Sequence, residues 1–211
     1  MKNPYKLNLS RYSTHSVIRS NIGTNETVLD VGCNDGYIGY ISDNSNIFYG
    51  LDFLDESVKN AKKIYKDVMV YDLNCLNKLS WNIKFDTIIF ADVLEHLLNP
   101  EEVLFFFVSN YLKENGKIII SLPNIANWQI RIKLLFGNFN YTETGILDKT
   151  HFHLYTFKSA NDMIKKNNLE TKKILSGASF FGFIIKIMPF LKTILATNII
   201  LVCKKNKNAQ K

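Results

Sequence analysis

An α/β fold, with a mostly parallel seven-stranded sheet and helices on both faces, is what this chain predicts from three observations. Short β-branched or apolar runs alternate with amphipathic stretches, the pattern of repeated βαβ units. The run Thr27-Val28-Leu29-Asp30-Val31-Gly32-Cys33-Asn34-Asp35-Gly36-Tyr37-Ile38-Gly39 reads as a buried strand that ends in a glycine turn and opens a helix. Asn99-Pro100-Glu101-Glu102 reads as the start of a connecting helix: asparagine caps, proline suits the first helical position, and acids favour the positive end. With 211 residues, 46% of them hydrophobic, and only 10 glycines and 4 prolines, the chain is expected to fold as one domain (1–211). Disordered, collagenous and low-complexity classes are excluded.

In chain order, residues 1–25 form an N-terminal cap with a helix around Thr14 to Asn21. Strands are expected at Thr27–Val31, Ile47–Leu51, Asp67–Tyr71, Phe85–Phe90, Lys117–Leu122, Thr171–Leu175 and Asn198–Cys203. The helix that opens at Pro100 is expected to stop at Gly116. Residues 123–157 are aromatic-rich and show little periodicity, which suits a covering segment over a binding site better than an ordinary connection. The apolar region Phe180 to Cys203 is interrupted by Lys186, Pro189, Lys192 and Asn198, so it falls short of a membrane span. Residues 204–211 form a basic tail.

The three cysteines, Cys33, Cys75 and Cys203, are odd in number and lack C-x-x-C spacing, which argues for a reducing, cytoplasmic setting and against disulfides or structural zinc. The first 20 residues are polar and carry Lys2, Lys6, Arg11 and Arg19, so no cleavable export signal is expected. The net charge of +7 is uneven: residues 151–211 hold 11 lysines, no arginine, and only Asp162 and Glu170. A diffuse lysine surface without arginines is a solvated face rather than a nucleic-acid reader.

The candidate ligand site lies where strands end. Gly32 and Gly36 allow backbone to come close to a ligand, and the helix N-terminus that follows offers donors to an anion. The dinucleotide pattern G-x-G-x-x-G is not met, since Asn34 and Tyr37 stand where glycines belong, which disfavours an NAD enzyme. Asp52 ends the second strand, where a carboxylate can accept both hydroxyls of a ribose. Asp72 ends the third, within reach of an adenine amino group, and Asp92 follows the fourth. Each acid alone reads as a surface aspartate at a strand end; four in register with the strands point to one site.

The order Val28-Leu29-Asp30-Val31-Gly32-Cys33, Gly50-Leu51-Asp52, Asp72, Asp92-Val93-Leu94-Glu95-His96-Leu97 and Asn115-Gly116-Lys117 resembles class I S-adenosylmethionine-dependent methyltransferases. Ser121-Leu122-Pro123-Asn124-Ile125-Ala126-Asn127-Trp128, Gly145-Ile146-Leu147-Asp148-Lys149-Thr150-His151-Phe152 and Tyr155-Thr156 resemble the branch with MetW-like, quinone-type and surface-glycan methyltransferases. The resemblance implies a Rossmann-like sheet of order 3-2-1-4-5-7-6, S-adenosylmethionine as cofactor and S-adenosylhomocysteine as product. By the same resemblance Asp30, Gly32 and Cys33 would line the methionine end, Asp52 the ribose, Asp72 and Leu73 the adenine, and Ala91, Asp92 and Val93 the sulfonium, with Gly36 and Phe53 as further cofactor contacts. Glu95 and His96 would shape the following helix, with His96 read as a packed side chain. Asn34 stands where the family has glycine, and asparagine tolerates a left-handed backbone. The segment Phe180 to Leu195 matches a hydrophobic helix of this branch, expected to pack on the core or to form a homodimer surface rather than insert in a membrane.

Methyl transfer from a sulfonium needs alignment and exclusion of water, with a general base for an oxygen acceptor. The candidate bases are His151, His153 and His15. His151 and His153 share one face if the segment is extended, and His151 is the first choice of base because it belongs to the family stretch; simple packing is the competing reading. Tyr12, His15, Asn124, Trp128, Arg131 and Tyr141 are candidate acceptor contacts, with aromatic packing and a solvated arginine as the alternative. Asp148, His151 and His153 are too weak a pattern for a metal site, so none is expected. The reading is O-methylation of a small polar or anionic metabolite or a surface-glycan precursor. The alternative is a non-catalytic MetW-like partner of an acyltransferase in methionine biosynthesis.

Overall fold

The structure, a computed structural model, describes residues 7–178 and 180–206. The first six residues of the N-terminal cap and most of the basic tail therefore lie outside the described residues. The chain runs α1 (Thr14–Arg19), β1 (Thr27–Val31), α2 (Tyr37–Ile41), β2 (Ile47–Asp52), α3 (Asp55–Ala61), β3 (Asp67–Val70), β4 (Phe85–Ala91), α4 (Pro100–Tyr111) and β5 (Leu112–Pro123). It continues through α5 (Trp128–Leu135), α6 (Phe157–Lys166), β6 (Leu169–Gly177), α7 (Gly182–Ile187), α8 (Lys192–Leu195) and β7 (Asn198–Lys205). The seven strands form one sheet in the order 3-2-1-4-5-7-6. The first five pair in parallel, and β7 runs antiparallel between β5 and β6.

Period-two alternation explains how the sheet carries helices on both faces. Leu29, Val31, Ile88, Phe90, Ile118 and Ile120 point to one side, where Leu104 and Phe107 of α4 and Ile164 of α6 cover them. Val28, Ile89, Ile119 and Ile200 point to the other, against Ile18 of α1, Ile38 of α2 and Val58 and Ala61 of α3. Each fully buried side chain of this kind contributes about 1.5–3 kcal/mol of transfer free energy. Register places the carboxyl ends together: Val31 lies beside Leu51 and Phe90, and Asp52 beside Val70. The loops after β1, β2, β3 and β4 thus meet at one edge, the place where open α/β sheets bind ligands.

Three expected elements differ. The helix from Pro100 ends at Tyr111, not Gly116, because fully buried Leu112 turns extended (φ −82°, ψ 129°) and pairs with Phe85. Gly116 lets the chain fold back over it, since a side chain there would meet Leu112 Cδ1 at 2.7 Å. The covering segment contains a helix, α5, capped by Asn127, whose side chain accepts from the Gln129 amide. Phe180 to Leu195 is not one helix packed on the core. It breaks into α7, a short 3₁₀ turn at Pro189–Leu191 and α8, because proline lacks the amide a continuing helix needs. Ile185 is buried in this stretch, whereas Phe183, Ile187 and Phe190 face outward. Among the described residues no helix is long and apolar enough to cross a membrane.

Candidate active site

A cavity of about 810 Å³ opens at the carboxyl edge, within the roughly 300–1,000 Å³ range of small-molecule sites. Its floor is the loop after β1. Gly32 (φ +73°) and Asn34 (φ +49°) are left-handed, and the Gly32 and Cys33 amides both donate to the Leu51 carbonyl, at 2.7 and 2.9 Å. A side chain built on Gly32 would overlap Val93 Cγ2. The glycine therefore keeps the loop and the turn after β4 in contact with nothing between them.

The four carboxylates stand along this floor in different environments. Asp30 Oδ2 accepts from the Tyr65 hydroxyl at 2.6 Å, while Oδ1 is buried without a partner. Burial, opposed by Tyr65 and aided by the charge of Asp52, pushes Asp30 up to about 7. Asp52 accepts from the Asn34 amide through Oδ2 (2.8 Å) and from the Leu54 amide through Oδ1 (2.9 Å). Exposed Asp72 accepts from the Asn74 amide at 2.9 Å. Asp92 (φ +54°) accepts through Oδ1 from the Ser121 hydroxyl and the Asn198 side-chain amide. Burial raises its pKa despite those two bonds. Burial also drives the Cys33 thiol far up, which excludes it as a nucleophile at neutral pH.

Two imidazoles close the far wall, His15 from α1 and His96 from the turn after β4. Burial lowers the pKa of His15, with the charge of Asp92 opposing. Burial followed by the proximity of His151 lowers that of His96. Both are neutral bases at pH 7.

Asp30, Gly32, Cys33, Asp52, Phe53, Asp72, Leu73, Ala91, Asp92, Val93 and His15 all line this cavity. Gly36 (φ +79°) lies behind it, with Tyr65 and Ala61 3.2–3.4 Å from where a side chain would begin. Tyr12 faces Gly182, and its carbonyl accepts from the Ala178 amide. Buried Asn124 binds the Thr193 and Ala196 carbonyls, and Trp128 meets Phe181 edge-on. Arg131 donates to the Ala126 carbonyl, and Tyr141 packs on Phe139. None of these five lines the cavity.

The two histidines expected to share a face do not. His151 is 8% exposed, with Nδ1 3.1 Å from the Ile146 carbonyl. His153 lies with Nε2 3.3 Å from the Leu98 carbonyl, beside a separate groove. The turn at Asp148–His151 and the bonds from the Phe152 and His153 amides to the Glu95 carbonyl bend the segment. No metal site was expected, yet Glu95, His96 and His151 bring one donor atom each within 4.8 Å of one another.

A family model described as a methyltransferase domain matches residues 22–179. The chain belongs to the methyltransferase domain family. It is a class I S-adenosylmethionine-dependent methyltransferase, and S-adenosylmethionine is its cofactor. The methyltransferase is 32% identical over 225 residues to the uncharacterized protein MJ1252 of Methanocaldococcus jannaschii, covering 97% of this chain and 86% of that protein. Its fold is similar to an S-adenosylmethionine-dependent methyltransferase of Mesorhizobium loti, with TM-score 0.67, 14% identity and coverage of 92% and 98%. It is also similar to magnesium protoporphyrin IX methyltransferase of Synechocystis with bound S-adenosylhomocysteine, with TM-score 0.60, 17% identity and coverage of 90% and 78%.

The methyltransferase's own residues fit the cofactor. An orphaned buried oxygen on Asp30 is what a ligand ammonium would satisfy, and a side chain at Gly32 could be housed only by displacing Val93, which borders the same cavity. Sequence reasoning left His96 out of the wall, along with Tyr37, Leu54, Tyr71, Asn74 and Leu97. Tyr37 opens α2 and His96 sits in a short 3₁₀ turn; the others come from loops, where no periodicity marks which side chain turns inward.

Proposed function

We propose that this methyltransferase acts on an oxygen of a small polar or anionic acceptor, a class that includes metabolites and surface-glycan precursors. The observation that carries this reading is His15 on the cavity wall, held neutral by burial and facing the charge of Asp92. A nitrogen or carbanion acceptor has less need of such a base, whereas a hydroxyl must lose its proton as it attacks. The cofactor, when bound, supplies a methyl group on a positively charged sulfur.

In this assignment Asp52 accepts the ribose hydroxyls, Asp72 and Leu73 flank the adenine, Gly32 and Cys33 border the methionine end, and Asp30 Oδ1 takes its ammonium. Ala91, Asp92 and Val93 border the sulfonium. A ring nitrogen of His15 would receive the acceptor's hydroxyl proton as its oxygen takes the methyl group, and the cofactor's sulfur would keep the electron pair of the bond it loses. Asp92 then stabilises the imidazolium across the wall. The test supplies labelled S-adenosylmethionine with hydroxyl, amine and carbon acceptors. Label in an ether or ester is expected. Label only in amines or carbon products, or tight S-adenosylhomocysteine binding without turnover, as a regulatory partner would give, overturns the assignment.

Asp30→Asn is expected to trade binding for stability. The folded protein holds the Asp30 proton more tightly than the unfolded chain does, because its pKa is about 7 against an ordinary 3.8. Stability therefore falls as pH rises between those values, and above 7 the deficit is complete, about 4 kcal/mol. Asparagine carries no charge and can still accept from Tyr65. The variant should melt several degrees above the parent at pH 8, with the gap closing near pH 4, and bind S-adenosylhomocysteine at least tenfold more weakly. A gap independent of pH would remove Asp30 as the titrating group.

A further inference from the structure

Behind the cavity wall at His96, three side chains with metal-ligating atoms meet. Burial pushes the Glu95 carboxyl well above the usual carboxylate range, so a cation bound there would displace its proton. Glu95 is fully buried, and neither of its carboxylate oxygens has a hydrogen-bond partner. His151 Nδ1 lies against the Ile146 carbonyl, which can only accept, so Nδ1 carries a proton and Nε2 is the nitrogen left to ligate. His96 Nδ1 lies 3.2 Å from the Thr150 carbonyl and 3.0 Å from its hydroxyl. That hydroxyl gives its hydrogen to Asp148 Oδ1 at 2.7 Å, so towards His96 it too can only accept, and His96 Nε2 is likewise left with a lone pair. The imidazoles stand edge to face, with centroids 4.6 Å apart. One donor atom from each of the three side chains lies within 4.8 Å of the others.

We propose that Glu95, His96 and His151 hold a divalent first-row transition-metal cation at the acceptor end of the cavity. Ligand bonds of roughly 2.0–2.2 Å place donors around one ion roughly 3–4 Å apart, so the cluster needs only a small contraction. Two imidazoles and one carboxylate suit Mn²⁺, Co²⁺ or Zn²⁺, whereas Mg²⁺ prefers oxygen and water. The outer contacts that metal-bound histidines use are already in place: a carbonyl behind His151, and a hydroxyl relayed to a carboxylate behind His96. The Glu95 carbonyl accepts from the Phe152 and His153 amides, which ties the turn bearing Glu95 and His96 to the segment bearing His151. Because His96 lines the cavity, the ion's open positions would face an incoming oxygen ligand. Cation binding does not depend on the acceptor assigned above.

The experiment strips the protein with a chelator and titrates it by calorimetry with Mn²⁺, Co²⁺, Zn²⁺ and Mg²⁺, following Co²⁺ by its visible absorption. One equivalent of Co²⁺ or Zn²⁺ should bind at micromolar or tighter affinity, Mn²⁺ more weakly and Mg²⁺ weakest. Glu95→Gln and His151→Gln should each weaken Co²⁺ at least 100-fold, with S-adenosylhomocysteine affinity retained as the control for folding. Thr150→Val, which touches no ligand atom, should weaken it 10- to 100-fold. A parent protein that takes up no ion at millimolar Co²⁺ or Zn²⁺, or folded variants that bind like the parent, would overturn the site.

Discussion

Gly32→Val should abolish measurable S-adenosylhomocysteine binding. Two separate costs fall on this position. The backbone is left-handed there, which costs a side chain roughly 1–2 kcal/mol and a β-branched one more. The new carbon would also overlap Val93 Cγ2, and such overpacking costs about 1–3 kcal/mol. Relief can come only from moving the loop after β1 or the turn after β4, and both form the cavity wall. The expected loss is at least 1,000-fold. Gly32→Ala combined with Val93→Ala removes the overlap but not the backbone strain, so it should fold and recover part of the affinity. If Gly32→Val binds like the parent, the loop does not hold the cofactor.

His15→Gln should lower methyl transfer roughly 10²- to 10⁴-fold, the usual worth of a positioned base, while S-adenosylhomocysteine affinity stays within a few-fold of the parent. The sign of the pH dependence follows from burial, which lowers the pKa of His15. The parent's rate should rise with pH through a value below 6.5 and then stay flat. In the variant that limb should vanish, and added imidazole should restore part of the rate. A variant that keeps both the limb and the rate would take the base role from His15. His153→Gln is the matched control, because that ring lies outside the cavity against the Leu98 carbonyl.

The sheet was legible because its central strands are buried on both faces and read as unbroken apolar runs. Thr27–Val31 and Asn198 have the same start in sequence and structure for this reason. The carboxylates at Asp30, Asp52, Asp72 and Asp92 were legible because strand ends fix their positions by register. The helix over Trp128–Leu135 was missed although Asn127 caps it, because its apolar side chains do not form one buried stripe and only Ile130 is buried. The far wall was harder still. His15 shares the cavity and the field of Asp92, 77 positions away in the chain, only because α1 packs on the sheet face of Ile89 and Ile200. Residue spacing cannot report such proximity. The bend between His151 and His153 is set by main-chain bonds to Glu95, which lies more than 50 positions upstream.

Asp52 holds the amides of Asn34 and Leu54 on its two oxygens, so the carboxylate is braced from both sides before any ligand arrives. A loop already wired in this way has little entropy left to lose. Cofactor capture should therefore follow a single concentration-dependent phase in rapid mixing, without the slower step of a loop that must order itself around its guest. Exchange of spent for fresh cofactor would then be governed by how long the product stays, and the pace of repeated turnover by escape rather than rearrangement.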